Sequence, residues 1–351
     1  MPIIEASGLA RTFKSRKRVV HAVRGVDLTV DEGEIVGFLG PNGAGKTTTL
    51  RMLTTLLRPT EGRATVAGAD LLKDPLGVRR RIGFVPQAIG QTMGGTDNQA
   101  KVIEELHDQA ALYRIAAADG ARRADLLLRQ LDLSGLGDRL VKTLSGGQRR
   151  RLEIALGLVH EPQVVFLDEP TTGLDPQSRS NLWGHIRRLR SELGTTVFLT
   201  THYLEEANAL CDRVVIIDNG VTVAAGTPDE LKRHVSGDVV TLKVSGPAEA
   251  ARALLAAQPI VRDVAESEED EGLRLTVEHG EEALPVLLRV LDGAGLTISS
   301  ISLSRPTLDD VFLTLTGRSL RDDSPSSPAG RPADPAGPPG QPDLAAAASR
   351  K

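Results

Sequence analysis

The chain has 351 residues, 40% hydrophobic and 25% charged, which suits one large domain with a small one, or two ordinary domains, and excludes a wholly disordered polypeptide. Its net charge of −4 gives no overall basic field for nucleic acid or anionic lipid, and its single cysteine, Cys211, excludes an internal disulfide and a multi-cysteine zinc site. No run approaches the ~18 apolar residues of a membrane span, so any spanning part is expected on another chain. The start, Met1-Pro2-Ile3-Ile4-Glu5-Ala6, lacks the charged-then-apolar order of a secretory signal, and a reducing, cytosolic setting is expected.

In chain order, residues 34–40 (EIVGFLG) open a series of short apolar, β-branched runs. A helical stretch follows over 48–57. Further runs lie at 81–87 (RIGFVPQ), Val164–Asp168 and 196–200 (TVFLT). They are continuous rather than alternating, which suits strands buried on both faces of a mainly parallel sheet. Between the second and third of these, 103–113 and 120–133 have helical spacing, so a helical insertion splits the α/β core. Arg213–Asp218, then Asn219-Gly220, then 221–225 read as a hairpin with a two-residue turn. From about 237 the order is strand (238–244), helix (247–257), two strands (260–266, 273–278), helix (281–293) and strand (296–303). This is a βαββαβ, ferredoxin-like α+β pattern. Thr307 is placed to cap a closing helix with Leu308, Val311, Phe312 and Leu315 on one face. Residues 322–351, rich in Pro, Ala, Gly and Ser, read as a disordered tail.

Chemistry concentrates in two places. Gly40-Pro41-Asn42-Gly43-Ala44-Gly45-Lys46-Thr47 fits G-x-x-x-x-G-K-[ST] between a strand and a helix, with Thr48 next. Glycines let backbone N–H groups turn inward onto anionic oxygens, and the helix N-terminus adds positive charge. Lys46 is expected to reach the β- and γ-phosphates, and the Thr47 hydroxyl to ligate Mg²⁺. The second place is Val164–Asp168 followed by Glu169, a buried strand delivering two carboxylates to the sheet's carboxyl edge. Asp168 is suited to hold Mg²⁺, and Glu169 to polarise the attacking water. Gln87 ends a strand and could touch Mg²⁺ or that water; His202 follows another strand, toward the γ-phosphate. Leu144-Ser145-Gly146-Gly147-Gln148 opens a helix and offers a second anion site.

The LSGGQ run between these two motifs resembles the signature of ABC transporter ATP-binding subunits, over roughly residues 3–235. The resemblance implies a P-loop α/β nucleotide-binding domain at 1–236, with its helical subdomain at about 88–160. It implies a head-to-tail homodimer holding two ATP molecules. Ser145, Gly146, Gly147 and Gln148 of one subunit then cap the nucleotide bound by Gly40–Thr48 of the other. Gln87 matches the Q-loop, Asp175 the D-loop and His202 the switch histidine. Phe13 stands where the family places an adenine-stacking aromatic; the other reading is a cover for the sheet edge. The 306–317 segment (PTLDDVFLTLTG) resembles the closing motif of daunorubicin-resistance-type subunits, which implies an accessory α+β domain at 237–317 before the 318–351 tail. It also implies export of a drug-like or hydrophobic compound through a separate permease, from the cytoplasmic face of a bacterial plasma membrane and without nucleic acid. An importer ATPase, or a non-transport ABC ATPase on ribosome or DNA, is the alternative. Residues 94–101 (GGTDNQAK) depart from the family's Thr-Gly-Arg-Glu-Asn-like run, which leaves the membrane partner open.

Overall fold

The computed structural model describes residues 1–14, 18–87, 99–235, 237–245, 248–267, 272–304 and 307–316. The unusual residues 94–98, Gly317 and the Pro/Ala-rich tail lie outside the described residues. The elements in order are β1 (Pro2–Lys14), β2 (Val19–Asp31), β3 (Ile35–Leu39), α1 (Lys46–Leu53), β4 (Glu61–Val66), β5 (Ala69–Asp70), α2 (Pro75–Arg81) and β6 (Ile82–Val85). Next come α3 (Val102–Leu112), α4 (Ala117–Gln130), α5 (Gly146–Leu158), β7 (Val164–Asp168), α6 (Pro176–Leu193), β8 (Thr196–Thr201), α7 (Leu204–Leu210), β9 (Arg213–Asp218), β10 (Val221–Gly226) and α8 (Pro228–Val235). The last group is β11 (Asp238–Ser245), α9 (Ala248–Ala256), β12 (Val261–Ser267), β13 (Gly272–Val277), α10 (Gly280–Gly293), β14 (Thr297–Ser304) and α11 (Leu308–Thr316). Among the described residues no helix is long and apolar enough to cross a membrane.

The large sheet runs β5-β4-β1-β2-β10-β9-β3-β8-β7-β6. From β9 to β6 all neighbours are parallel, as the continuous apolar runs predict. Each run serves two cores at once. Ile35, Leu39, Val165, Leu167, Val197 and Leu199 face one cluster; Val36, Phe38, Val164, Phe166 and Phe198 face the other. Burial on both sides leaves no polar face, hence no alternation in the sequence. The other wing, β5-β4-β1-β2, is antiparallel. It is joined to the rest through the single parallel pair Val221↔Gly25. The Asn219-Gly220 turn is a hairpin with both residues at positive φ, 48° and 80°.

The helix expected over 48–57 is shorter. It runs Lys46–Leu53, and Thr55 is left-handed at φ 64°. Thr54 turns its hydroxyl back onto the carbonyls of Leu50 (2.9 Å) and Arg51 (3.3 Å), a local bond that competes with further helix.

The small sheet has the order β12-β13-β11-β14, antiparallel throughout, the ferredoxin-like arrangement. Its own core lies beneath α9 and α10. Helix α11 does not join that core. Thr307 caps it, accepting from the Asp310 amide at 3.3 Å. Leu308, Val311 and Phe312 enter the cluster that holds Leu210, Cys211 and Leu231, so α11 returns to α7 and α8. Leu315, expected on the same face, is 39% exposed.

Candidate active site

Parallel strands present their carboxyl ends on one edge, and the site is assembled there. The glycine-rich loop leaves β3, Asp168 ends β7, Glu169 follows it, and His202 follows β8. Gln87 lies two residues beyond β6.

The loop needs glycine for steric reasons. A Cβ on Gly40 would lie 2.3 Å from the Ile217 carbonyl oxygen, and one on Gly45, at φ 105°, 2.6 Å from that of Ala22. Around Gly43, by contrast, a Cβ would meet nothing within 4 Å, so that stretch borders open space. Pro41, Asn42 and Ala44 complete the turn, and Gly45 is the N-cap of α1, so the Lys46, Thr47 and Thr48 amides begin the helix. Lys46 Nζ donates to the carbonyls of Gly40 (2.8 Å) and Pro41 (3.1 Å) and lies 3.5 Å from Glu169 Oε1. Both partners of that pair are buried.

The two carboxylates have different surroundings. Asp168 Oδ1 accepts from Thr47 Oγ1 at 3.2 Å and from Thr200 Oγ1 at 2.7 Å. Glu169 Oε2 accepts from Gln87 Nε2 at 2.7 Å and Thr172 Oγ1 at 3.1 Å, with His202 Nδ1 at 3.3 Å. That last contact is at ion-pair distance but not aligned as a hydrogen bond. Burial pushes the Glu169 carboxyl up, but His202, Lys46 and Thr172 outweigh it and hold it below the ordinary carboxylate value. Glu169 is therefore ionised at neutral pH. Its backbone is left-handed, φ 43°, a conformation that costs a non-glycine residue about 1–3 kcal/mol. The Glu169 amide is held against this by Thr200, through Oγ1 at 3.0 Å and the carbonyl at 3.2 Å.

The remaining predicted residues stay apart from this cluster in their own bonding. Ser145 N-caps α5 in a capping box, accepting from the Gln148 amide at 3.3 Å while its own amide donates to Gln148 Oε1 at 3.0 Å. Gly146 faces open space, and a Cβ on Gly147 would meet Ser178 Oγ at 3.3 Å. Asp175 N-caps α6, accepting from the Ser178 amide (2.9 Å) and hydroxyl (2.6 Å), which lower its pKa. Phe13 is 40% exposed near the end of β1, paired with Val20 of β2, two residues before the Ala22 carbonyl that abuts Gly45. The Arg11 guanidinium lies over its ring, 4.8 Å from the centroid.

Two residues escaped the sequence reading. Thr200 is one; it is opposite Asp168 in the β7–β8 register, which only strand pairing reveals. The other is Arg150, buried on α5. Its guanidinium donates to the carbonyls of Pro170 (2.9 Å), Pro86 (2.7 Å) and Asp168 (3.2 Å). It thus ties the helix that begins at Ser145 to the strand ends bearing Gln87 and Glu169. One signal was available: Arg150 shares its helical face with the buried Ile154 and Leu158.

This strand-edge constellation has relatives. Residues 23–172 match the ABC transporter family, and residues 226–316 match the C-terminal domain of DrrA1-3-like ATP-binding proteins. The daunorubicin resistance ATP-binding protein DrrA3 of Streptomyces coeruleorubidus is 43% identical, covering 91% of this chain and 97% of its own. The chain belongs to the ABC transporter ATP-binding subunits. The daunorubicin/doxorubicin resistance protein DrrA of Streptomyces peucetius is 40% identical over 92% of this chain and 94% of its own. Among solved structures, the dimeric post-hydrolysis ATP-binding cassette MJ0796, bound to ADP and Pi, superposes with a TM-score of 0.57 at 26% identity. It covers 64% of this chain and 98% of its own. As an ABC ATPase subunit, the chain binds and hydrolyses ATP, works with a membrane permease and dimerises. The parallel sheet, the phosphate loop and the accessory domain expected from the sequence are all present.

Proposed function

We propose that this ATPase subunit powers efflux of a drug-like or other hydrophobic compound through a separately encoded permease. It would do so as a peripheral protein on the cytoplasmic face of a bacterial plasma membrane. The C-terminal domain match and the resistance functions named for its relatives support the direction and the cargo class. We further assign 1–236 to the nucleotide domain and 237–317 to the accessory domain, with α11 returning across the boundary.

The observation that carries the mechanism is the ionised Glu169 carboxylate held among Lys46, Gln87, Thr172 and His202. Lys46 bonds two neutral carbonyls; a phosphate is a stronger, anionic acceptor, so ATP draws the ammonium off them. The loop amides and the start of α1 hold the remaining phosphate oxygens. Glu169 then accepts a proton from the attacking water, and His202 steadies the charge beside it. Gln87 and Thr172 fix Oε2, which keeps the carboxylate aimed. Phe13 stacks on adenine. Ser145, Gly146, Gly147 and Gln148 of a second copy close the nucleotide from the other side, with Asp175 crossing the interface. The cassette MJ0796, dimeric and bound to ADP and Pi, supports a nucleotide-bound dimer.

Thr47 Oγ1 and Asp168 Oδ1, 3.2 Å apart, are hard oxygen donors, and Gln87, bonded to Glu169 through Nε2, keeps its amide oxygen for a third; such a set fits Mg²⁺. Among the described residues no group of three or more His, Cys, Asp or Glu could hold a metal unaided, so phosphate and water oxygens would complete its shell. Bound there, Mg²⁺ would neutralise charge on the transferring phosphoryl group.

Glu169→Gln should retain ATP binding, accumulate an ATP-dependent dimer on size exclusion, and lose hydrolysis by about 10²–10⁴. Unchanged turnover removes Glu169 from the base role. Ser145→Arg should abolish hydrolysis and that dimer; full activity refutes the shared site. Purification of the tagged chain from solubilised membranes should recover a permease. Recovery of ribosomal or DNA-repair components without one overturns the transport role.

A further inference from the structure

Glu169 is anchored by four neighbours, but the imidazole of His202 touches it only through a misaligned 3.3 Å contact. The histidine ring also packs on an aromatic neighbour. The ring of Tyr203 sits 4.1 Å away, centroid to centroid, tilted by 39°. On Tyr203 in turn lies the guanidinium of Arg179, its carbon 4.3 Å from the ring centroid. Tyr203 is itself fixed at the start of α7, its amide donating to Thr201 Oγ1 at 2.9 Å.

The other end of this stack is anchored in α6. The Arg179 amide donates to the Asp175 carbonyl at 2.9 Å, so Arg179 belongs to the helix turn that Asp175 caps. Arg179 also acts electrostatically on Glu206, a fully buried carboxyl of α7 that accepts from Trp183 Nε1 of α6 at 3.1 Å. Two links therefore join the N-terminal half of α6 to the start of α7. One is the buried Glu206–Trp183 bond; the other is the Arg179–Tyr203 contact, which continues to His202. Cation–π and aromatic contacts have preferred geometries and constrain ring placement.

We propose that Tyr203 and Arg179 are positioning residues for ATP hydrolysis: Arg179 clamps the Tyr203 ring, which holds the His202 imidazole beside Glu169. The helix turn at Asp175 and the switch histidine then move together. The inference rests on His202 acting in hydrolysis.

The test is a steady-state ATPase cycle on the full chain with Tyr203→Leu, Tyr203→Phe, Arg179→Met, His202→Ala and the His202→Ala/Tyr203→Leu pair. Tyr203→Leu should lower kcat by about 5–30-fold with KM for ATP within about twofold. Tyr203→Phe, which keeps the ring, should recover most of that loss. Arg179→Met should lower kcat less, again at unchanged KM. In the His202→Ala background Tyr203→Leu should cost almost nothing further, because the group it positions is gone. If the pair loses the product of the two single factors, or if Tyr203→Phe recovers nothing, the positioning role is overturned while that of His202 stands. If His202→Ala alone keeps full kcat, the catalytic reading of His202 fails and the inference falls with it.

Discussion

Replacing Arg150 by Met retains most of the side chain's apolar length and removes only the guanidinium. That group makes four bonds: to the carbonyls of Pro170 (2.9 Å), Pro86 (2.7 Å) and Asp168 (3.2 Å), and to Glu153 Oε2 (3.0 Å). The side chain is only 5% exposed, so water does not readily replace it. Hydrogen bonds to charged groups contribute about 1.5–3 kcal/mol each. The four share one donor group and one neighbourhood, so they do not add, and a loss of about 3–6 kcal/mol follows. Urea unfolding measures it through Trp183, the chain's single tryptophan, which sits on α6. Arg149→Met is the control: its side chain is more exposed, 20%, and lies 4.0 Å from Glu153. It should cost less than Arg150→Met, because its longer ion pair is nearer solvent. ATP hydrolysis should also fall in Arg150→Met, because Pro86 precedes Gln87 and Asp168 precedes Glu169. A loss below about 1 kcal/mol, or equal losses in both variants, would refute the reasoning.

Phe312→Ala should destabilise the chain by about 3–5 kcal/mol, since a fully buried ring is removed from beside Leu210 and Leu231. Hydrogen exchange should then show α11 opening while β11–β14 stay protected; unchanged protection of α11 would contradict its docking on the nucleotide domain. Burial raises the Glu206 carboxyl above the ordinary value of 4.5, despite Thr201, Trp183, Thr171 and Arg179. The native state therefore keeps a proton that the unfolded chain has lost, so this group's contribution to stability falls as pH rises from 4.5 through the folded value. Glu206→Gln removes that slope. Its urea midpoint should gain on the wild type as pH rises above 4.5, and a pH-independent difference would contradict the assignment.

The glycine loop, the apolar strands ending in Asp168-Glu169 and the Asn219-Gly220 turn were all legible in the sequence. Each is a local event: a backbone that must turn tightly, a strand buried on both faces, a hairpin that needs positive φ. The ferredoxin-like order of the last strands and helices was legible for the same reason. Hydrophobic period changes from element to element there. Tertiary structure alone decided three things. Register placed Thr200 beside Asp168, and residues 32 positions apart carry no sequence mark of that pairing. Burial picked Arg150 from a run of three arginines: its guanidinium is the most buried of them and reaches the carbonyls of Pro86, Asp168 and Pro170. Docking sent α11 to α7 and α8 instead of its neighbouring sheet, since an amphipathic helix records which face it buries and not against what. The stack from Arg179 through Tyr203 to His202 is of the same kind. It exists because parallel pairing brings two helix starts to one edge of the sheet, and pairing is a property of the folded chain.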